Sequence, residues 1–152
     1  MEGKRTYVYL VSYVYIVSVL INFLWEMAQM GLYSGMSYSQ PVDWLLCFRA
    51  SLGDGVMVLV IVFAGRLLFG QWSWFGTMRL TRVWFTVGLG AIIGVATEIV
   101  SLEMGRWEYT RAMPVLTPFS VGLTPLFQMI LLPPLVFWLV SRLRGDLFSV
   151  EP

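Results

Sequence analysis

Histidine is absent from this chain of 152 residues, and cysteine occurs once, at Cys47. The missing imidazole removes the commonest metal ligand and the side chain that ordinarily exchanges protons near neutral pH. That argues against zinc hydrolases and against di-iron oxidases of the histidine-box kind. A lone cysteine excludes an internal disulfide. Charge is scarce too: 12% of the residues are Asp, Glu, Lys or Arg, against roughly 25% in soluble domains. Ten basic and nine acidic residues leave a net charge of +1 with no basic tract, so no nucleic-acid partner is expected.

The rest is apolar: 58% of the residues are hydrophobic and the mean hydropathy is +0.75. A helix needs about 20 apolar residues to cross roughly 30 Å of hydrocarbon. Four stretches qualify, over about 7–30, 44–69, 84–102 and 118–140. They are too long for the strands of a membrane barrel and lack their period-two alternation. The pattern predicts an all-α, polytopic membrane protein, a four-transmembrane-helix bundle forming one domain over 1–152. The opening "MEGKRTYVYLVSYVYIVSVL" continues into further apolar residues with no small-residue cleavage site, so it reads as a retained first span rather than a leader. "SLGDG" at 51–55 is a candidate break in the second span, and Pro125, Pro133 and Pro134 predict kinks in the fourth.

Lysine and arginine set the orientation. Lys4, Arg5, Arg66, Arg79, Arg82, Arg142 and Arg144 fall on one side of a four-span layout, and Arg49, Arg106 and Arg111 on the other. The excess predicts both termini on the cytoplasmic side, in a bacterial cytoplasmic membrane. Aromatics fit as interface anchors: Tyr7, Tyr9, Trp72, Trp74 and Trp84 at the inner edge, Tyr33, Tyr38, Trp44, Trp107 and Tyr109 at the outer.

Against this background the polar residues stand out. "INFLWEMAQMGLY" at 21–33 carries Glu26 with no basic residue within ten positions on either side. Asn22, Glu26, Gln29 and Tyr33 recur at i, i+4, i+7 and i+11, which is one helix face, and Trp25 flanks it. Asp54 lies in the second span. Glu98 lies near the outer end of the third, preceded by Gly90 and Gly94 at four-residue steps that allow close helix contact. Gln128 lies in the fourth, with Gly122 and Pro125 near it. Each acid alone also fits an interfacial position or a structural pair with Arg49 or Arg106. An ionised acid in hydrocarbon costs at least about 2.5–3.5 kcal/mol, and here each span places a polar group in its outer half. The joint pattern predicts a shared cavity opening outward. Carboxylates that close repel in a low dielectric, so one is expected to keep a proton and serve as an acid beside an acceptor. The same oxygens suit a proton-coupled carrier, and more weakly a hard cation.

The third connection, "EMGRWEYTRAMPVLTP", sets Arg106, Trp107, Glu108, Tyr109 and Arg111 at the outer mouth. It reads either as an aromatic-belt anchor with solvated charges or as a lid, stiffened by Pro114 and Pro118, whose aromatics cover an apolar ligand while an arginine meets a phosphate or an acid. The glycines of "GDG" at 53–55 read either as a break lining a cavity or as a site of close helix approach.

Taken together, "NFLWEMAQMGLY", "SLGDG" and "GRWEYTRAMP…GLTPLFQMILLPP" resemble a family of small bacterial four-span membrane proteins, over most of the chain. A fainter similarity is to the lycopene cyclase-like membrane domains of carotenoid synthesis. These have a membrane aspartate, a W-x-[FY] element, and a glycine and a proline followed by two acids. Asp54, Trp107-Glu108-Tyr109, Gly122 and Pro125 correspond, whereas the residues after Pro125 read "LFQM" in place of the two acids. That resemblance implies acid chemistry on an isoprenoid. Sterol-isomerase-like four-helix proteins share the architecture but rely on a histidine.

The leading expectation is therefore a membrane protein that binds or modifies an apolar lipid or isoprenoid. Glu26, Asp54 and Glu98 are the expected acid/base groups. Asn22, Trp25, Gln29, Arg106, Trp107, Tyr109 and Gln128 are the expected ligand contacts, with no metal or cofactor. The alternatives are a small proton- or ion-coupled transporter, working as a homo-oligomer, and an accessory subunit whose polar stripe pairs with a partner helix.

Overall fold

A computed structural model describes residues 2–77, 79–117 and 119–148. Its frame is four helices: α1 (Glu2–Gln29), α2 (Pro41–Phe69), α3 (Leu80–Glu103) and α4 (Leu123–Phe148). Each contains a segment long and apolar enough to cross a membrane, from 21 residues in α4 to 29 in α2. The chain is thus an all-α four-helix bundle with the make-up of an integral membrane protein. Leu20, Leu24, Leu67, Ile92 and Leu131 stay exposed on its outside. A soluble domain hides such residues, whereas a bundle in lipid presents them to acyl chains.

Local chemistry sets the helix ends. Pro41 opens α2 at its first turn, where the missing N–H costs nothing. Gly70 closes α2 in the left-handed region (φ 78°) and donates its N–H to the Arg66 carbonyl at 3.0 Å. Gly105, at φ 62°, follows α3 and turns the chain so that the Arg106 N–H reaches the Ser101 carbonyl at 3.0 Å. α1 ends by tightening into a 3₁₀ turn, Met30–Leu32.

α1 and α4 form the inner pair: α4 packs against both α1 and α3, while α2 rests mainly on α1. Glycine decides how closely α3 and α4 approach. A Cβ at Gly90 would stand 2.1 Å from the Met129 carbonyl oxygen, and one at Gly94 would stand 3.1 Å from the Met129 Cβ. On the α1–α2 side, a Cβ at Gly55 would meet Tyr15 and Val19 at 2.8 and 2.9 Å. "SLGDG" is therefore a packing site: α2 runs through it unbroken, which decides for close helix approach over a break. α4 likewise continues through Pro133 and Pro134 as a helix.

Two connections fold back on the bundle. After α2 the chain turns inward and buries Trp74 and Phe75 completely. The Trp74 ring fills the space over Gly65, its Nε1 donates to the Val62 carbonyl at 3.0 Å, and its faces and edges meet Phe69, Phe85 and Phe137. Trp74 is thus a core plug and not the interface anchor expected from its position; Trp84, Tyr7 and Tyr9 are exposed as anchors should be. At the other end, the residues just before Leu123, read as the start of span four, include β2 (Val121–Gly122), which pairs antiparallel with β1 (Val115–Leu116) of the third connection. The Leu123 N–H donates to the Pro114 carbonyl at 2.8 Å. The fourth helix consequently starts at Leu123 rather than 118. Pro118, expected to stiffen this connection, lies outside the described residues, as do the side chains of Lys4, Arg5 and Arg144.

Candidate functional site

The helix that carries Glu26 turns its 3.6-residue stripe inward. Asn22 is fully buried and Gln29 nearly so. From α4, one turn and a half below its start, Gln128 faces them, also buried. From α2, Asp54 reaches the same point. At 29 residues α2 measures about 43 Å, well over the hydrocarbon thickness, so a residue that far from Pro41 still sits level with its partners.

The contacts are specific. Gln128 Nε2 lies 2.9 Å from each of three acceptors: Asn22 Oδ1, Glu26 Oε1 and Asp54 Oδ2. Gln29 Nε2 donates to Glu26 Oε1 and to Gln128 Oε1, both at 2.9 Å. Gln29 in turn accepts from Trp25 Nε1 at 3.3 Å, and Asn22 donates its own amide to the Ser18 carbonyl at 2.8 Å. Two carboxamides thus bridge two carboxylates across three helices. The Gln128 nitrogen carries two hydrogens for three acceptors. Glu26 and Asp54 also lie within hydrogen-bonding reach of one another, a contact that needs a hydrogen neither carboxylate has when ionised. The cluster is short of at least one hydrogen. The amides are sealed inside, whereas Glu26 and Asp54 are only partly buried, so the acids face the accessible side.

Glu98 belongs to a neighbouring limb. It is buried and accepts a hydrogen bond from the Tyr109 hydroxyl, which also accepts the Gly122 N–H at 3.1 Å. A Cβ at Gly122 would press on the Tyr109 ring at 3.0 Å, so glycine is what admits that ring. The third connection is therefore fastened over the end of the bundle. Tyr33 and Tyr109 form a bridge, the Ser34 N–H donates to the Glu108 carbonyl, and the Thr110 N–H donates to the Leu32 carbonyl. The Trp107 indole meets the Tyr33 ring edge-on at 6.1 Å. Its Nε1 is buried with no hydrogen-bond partner.

Of the expected residues, the fold brings Asn22, Trp25, Glu26, Gln29, Asp54 and Gln128 into one network. It sets Glu98, Trp107 and Tyr109 beside that network. Arg106 is not part of it: its side chain is exposed beyond the turn at Gly105 and takes no part in these hydrogen bonds. Tyr33 is the residue most undervalued by sequence. It was expected at the interface, but it is 9% exposed and packs on Tyr109 with ring centroids 5.7 Å apart. Burial first, then the nearby charges of Glu98, Glu26 and Asp54, hold its phenol well above the ordinary value. Its place at i+11 on the Asn22 stripe was the signal. The thiol of Cys47 donates to the Glu26 carbonyl at 3.7 Å. Among the described residues no group of three His, Cys, Asp or Glu side chains is placed to hold a metal ion. Comparison with protein-family models, with curated proteins and with solved structures returns no match.

Proposed function

We propose that this chain binds an apolar lipid, with an isoprenoid as the favoured class, and performs acid/base chemistry on it at the Glu26–Asp54 cluster. The observation that carries the reading is the Gln128 amide placed 2.9 Å from both carboxylates with one hydrogen too few for its acceptors. A single proton held between Glu26 and Asp54 supplies the hydrogen that their mutual contact lacks. That makes one carboxyl a donor and the other a conjugate base a few ångströms away, as proton transfer to an alkene and from an adjacent carbon requires. The glutamines hold the pair in register and remain unchanged. Glu98 and Tyr109 form a second donor–acceptor pair at the edge, and Trp25, Trp107 and Tyr33 supply apolar cover. The partial likeness to lycopene cyclase-like domains adds weight to an isoprenoid. In this reading the membrane is a bacterial cytoplasmic membrane, with both termini on the cytoplasmic side and the cluster in the outer half.

The test is deuterium uptake. The full chain, incubated with membrane isoprenoids in D₂O, incorporates deuterium into the recovered lipid. Glu26→Gln and Asp54→Asn each reduce that incorporation at least about 100-fold, the typical contribution of a positioned acid or base. Retention of full incorporation by both variants and by Glu98→Gln contradicts the shared site.

A second reading rests on the same missing hydrogen. A cluster that lacks one proton takes one up, and a proton-coupled carrier needs such a site. Substrate uptake into proteoliposomes that follows an imposed pH gradient, without any change to lipid, supports the carrier.

A further inference from the structure

A cavity opens at the opposite end of the bundle from the acid cluster, about 18 Å along α2 from Asp54 at 1.5 Å per residue. It measures about 190 Å³ and is bounded by Tyr7 and Leu10 of α1, Arg66 of α2, and Gln71, Trp72 and Ser73 of the connection that follows. That is far above the ~10–15 Å³ that admits one water. The proposed acid/base site uses none of these residues.

Arg66 is the group that gives the cavity a chemistry. Its guanidinium carbon stands 5.6 Å over the Trp72 ring, and Trp72 is itself stacked on Tyr7 at 5.6 Å. The ring holds the guanidinium beside the cavity that both residues line. Arg66 Nε is buried and has no hydrogen-bond partner. A buried guanidinium N–H left unpaired is costly unless the side chain shifts to meet an acceptor, and a planar fork suits the oxygens of a phosphate ester. Gln71 and Ser73 add an amide and a hydroxyl on the rim, and Leu10 gives an apolar wall. A cavity with a cationic fork, polar rim and apolar wall, at the end of an apolar bundle, matches an amphiphile whose phosphate sits at the interface and whose chains run along the helices.

We infer that this cavity binds the phosphate group of an anionic phospholipid, held by Arg66 against Trp72. The ligand is recognised through its phosphate ester, and the apolar wall makes the lipid the source rather than free phosphate.

Native mass spectrometry of the full chain tests the site. The protein is extracted from vesicles of phosphatidylcholine with or without phosphatidylglycerol. The expected result is one retained phosphatidylglycerol per chain, with Arg66→Gln weakening retention about tenfold, as expected for loss of a charge-assisted hydrogen bond. Arg66→Lys, which keeps the charge but loses the fork, falls between. Gln71→Glu places a like charge in the cavity and leaves the Arg66–Trp72 stack alone, so it also expels the lipid and covers the case in which Arg66→Gln fails to fold. Millimolar inorganic phosphate that displaces the lipid from the wild type would assign the site to free phosphate and overturn the lipid assignment. Equal retention of phosphatidylglycerol by wild type and Gln71→Glu, or equal retention of phosphatidylcholine by the wild type, overturns the proposal.

Discussion

Gln128 holds the acidic site together through one nitrogen, 2.9 Å from Asn22, Glu26 and Asp54. Gln128→Met keeps the volume and removes the donor. It is expected to cost about 1–3 kcal/mol, the penalty for leaving buried polar groups unmet, read as a lower melting temperature in detergent. Glu26→Gln should do the opposite. Its amide supplies the missing hydrogens, so the variant melts no lower than the wild type while losing activity; a clear fall in melting temperature contradicts the hydrogen count. Tyr33 gives a pH signature. A phenol held above 10.0 in the folded chain ionises first in the unfolded chain. Stability is then fully present below about pH 10 and falls above it, by up to about 1.4 kcal/mol per pH unit. Tyr33→Phe should remove that part of the alkaline slope in a pH series of thermal melts. The Asn22–Glu26–Gln29 stripe was legible because one helix carries it and helical periodicity is local. The grip of Tyr109 on Glu98 was not, because it depends on where a loop lands.

At the level of elements, two glycines in one helix separate packing from propensity. Gly90 faces the Met129 carbonyl at a distance no Cβ tolerates, whereas Gly88 has nothing within 4 Å. Gly90→Ala should push α3 off α4 and lower the melting temperature. Gly88→Ala should be neutral or stabilising, by up to about 1 kcal/mol from helix propensity. Equal effects would mean that the α3–α4 seam is not set by glycine. Four-residue glycine spacing predicted this seam from sequence. The same reasoning left "SLGDG" open between a break and a contact, since a glycine beside an acid fits either; only the presence of Tyr15 and Val19 against Gly55 decides it. The hairpin after α3 was missed for a different reason. Its strands are two residues each, too short to show alternation, and they merge into the apolar run of α4.

For the whole molecule, the four apolar runs and their order could be read directly, because span length follows from bilayer thickness and composition alone. Their end-to-end division of labour could not. One end is an aromatic plug built on Trp74, Phe75 and Phe137, and the other is a polar cluster under a strapped connection. Composition reports how many aromatics and acids there are, and the fold decides which end each serves. An even number of spans puts both termini on one side, and the proposed orientation, with that side cytoplasmic, rests on the arginine excess. Arg111→Cys, at an exposed position of the third connection, should react with a membrane-impermeant thiol reagent added from outside; protection until the membrane is opened reverses the orientation. The central claim, an intramembrane acid pair serving an apolar ligand, is tested most directly by mass spectrometry of what co-purifies with the full chain in mild detergent. The account predicts an isoprenoid or other apolar lipid enriched over the bulk membrane in the wild type and lost in Gln128→Met. A wild type that carries only the bulk lipid mixture, indistinguishable from that variant, contradicts it.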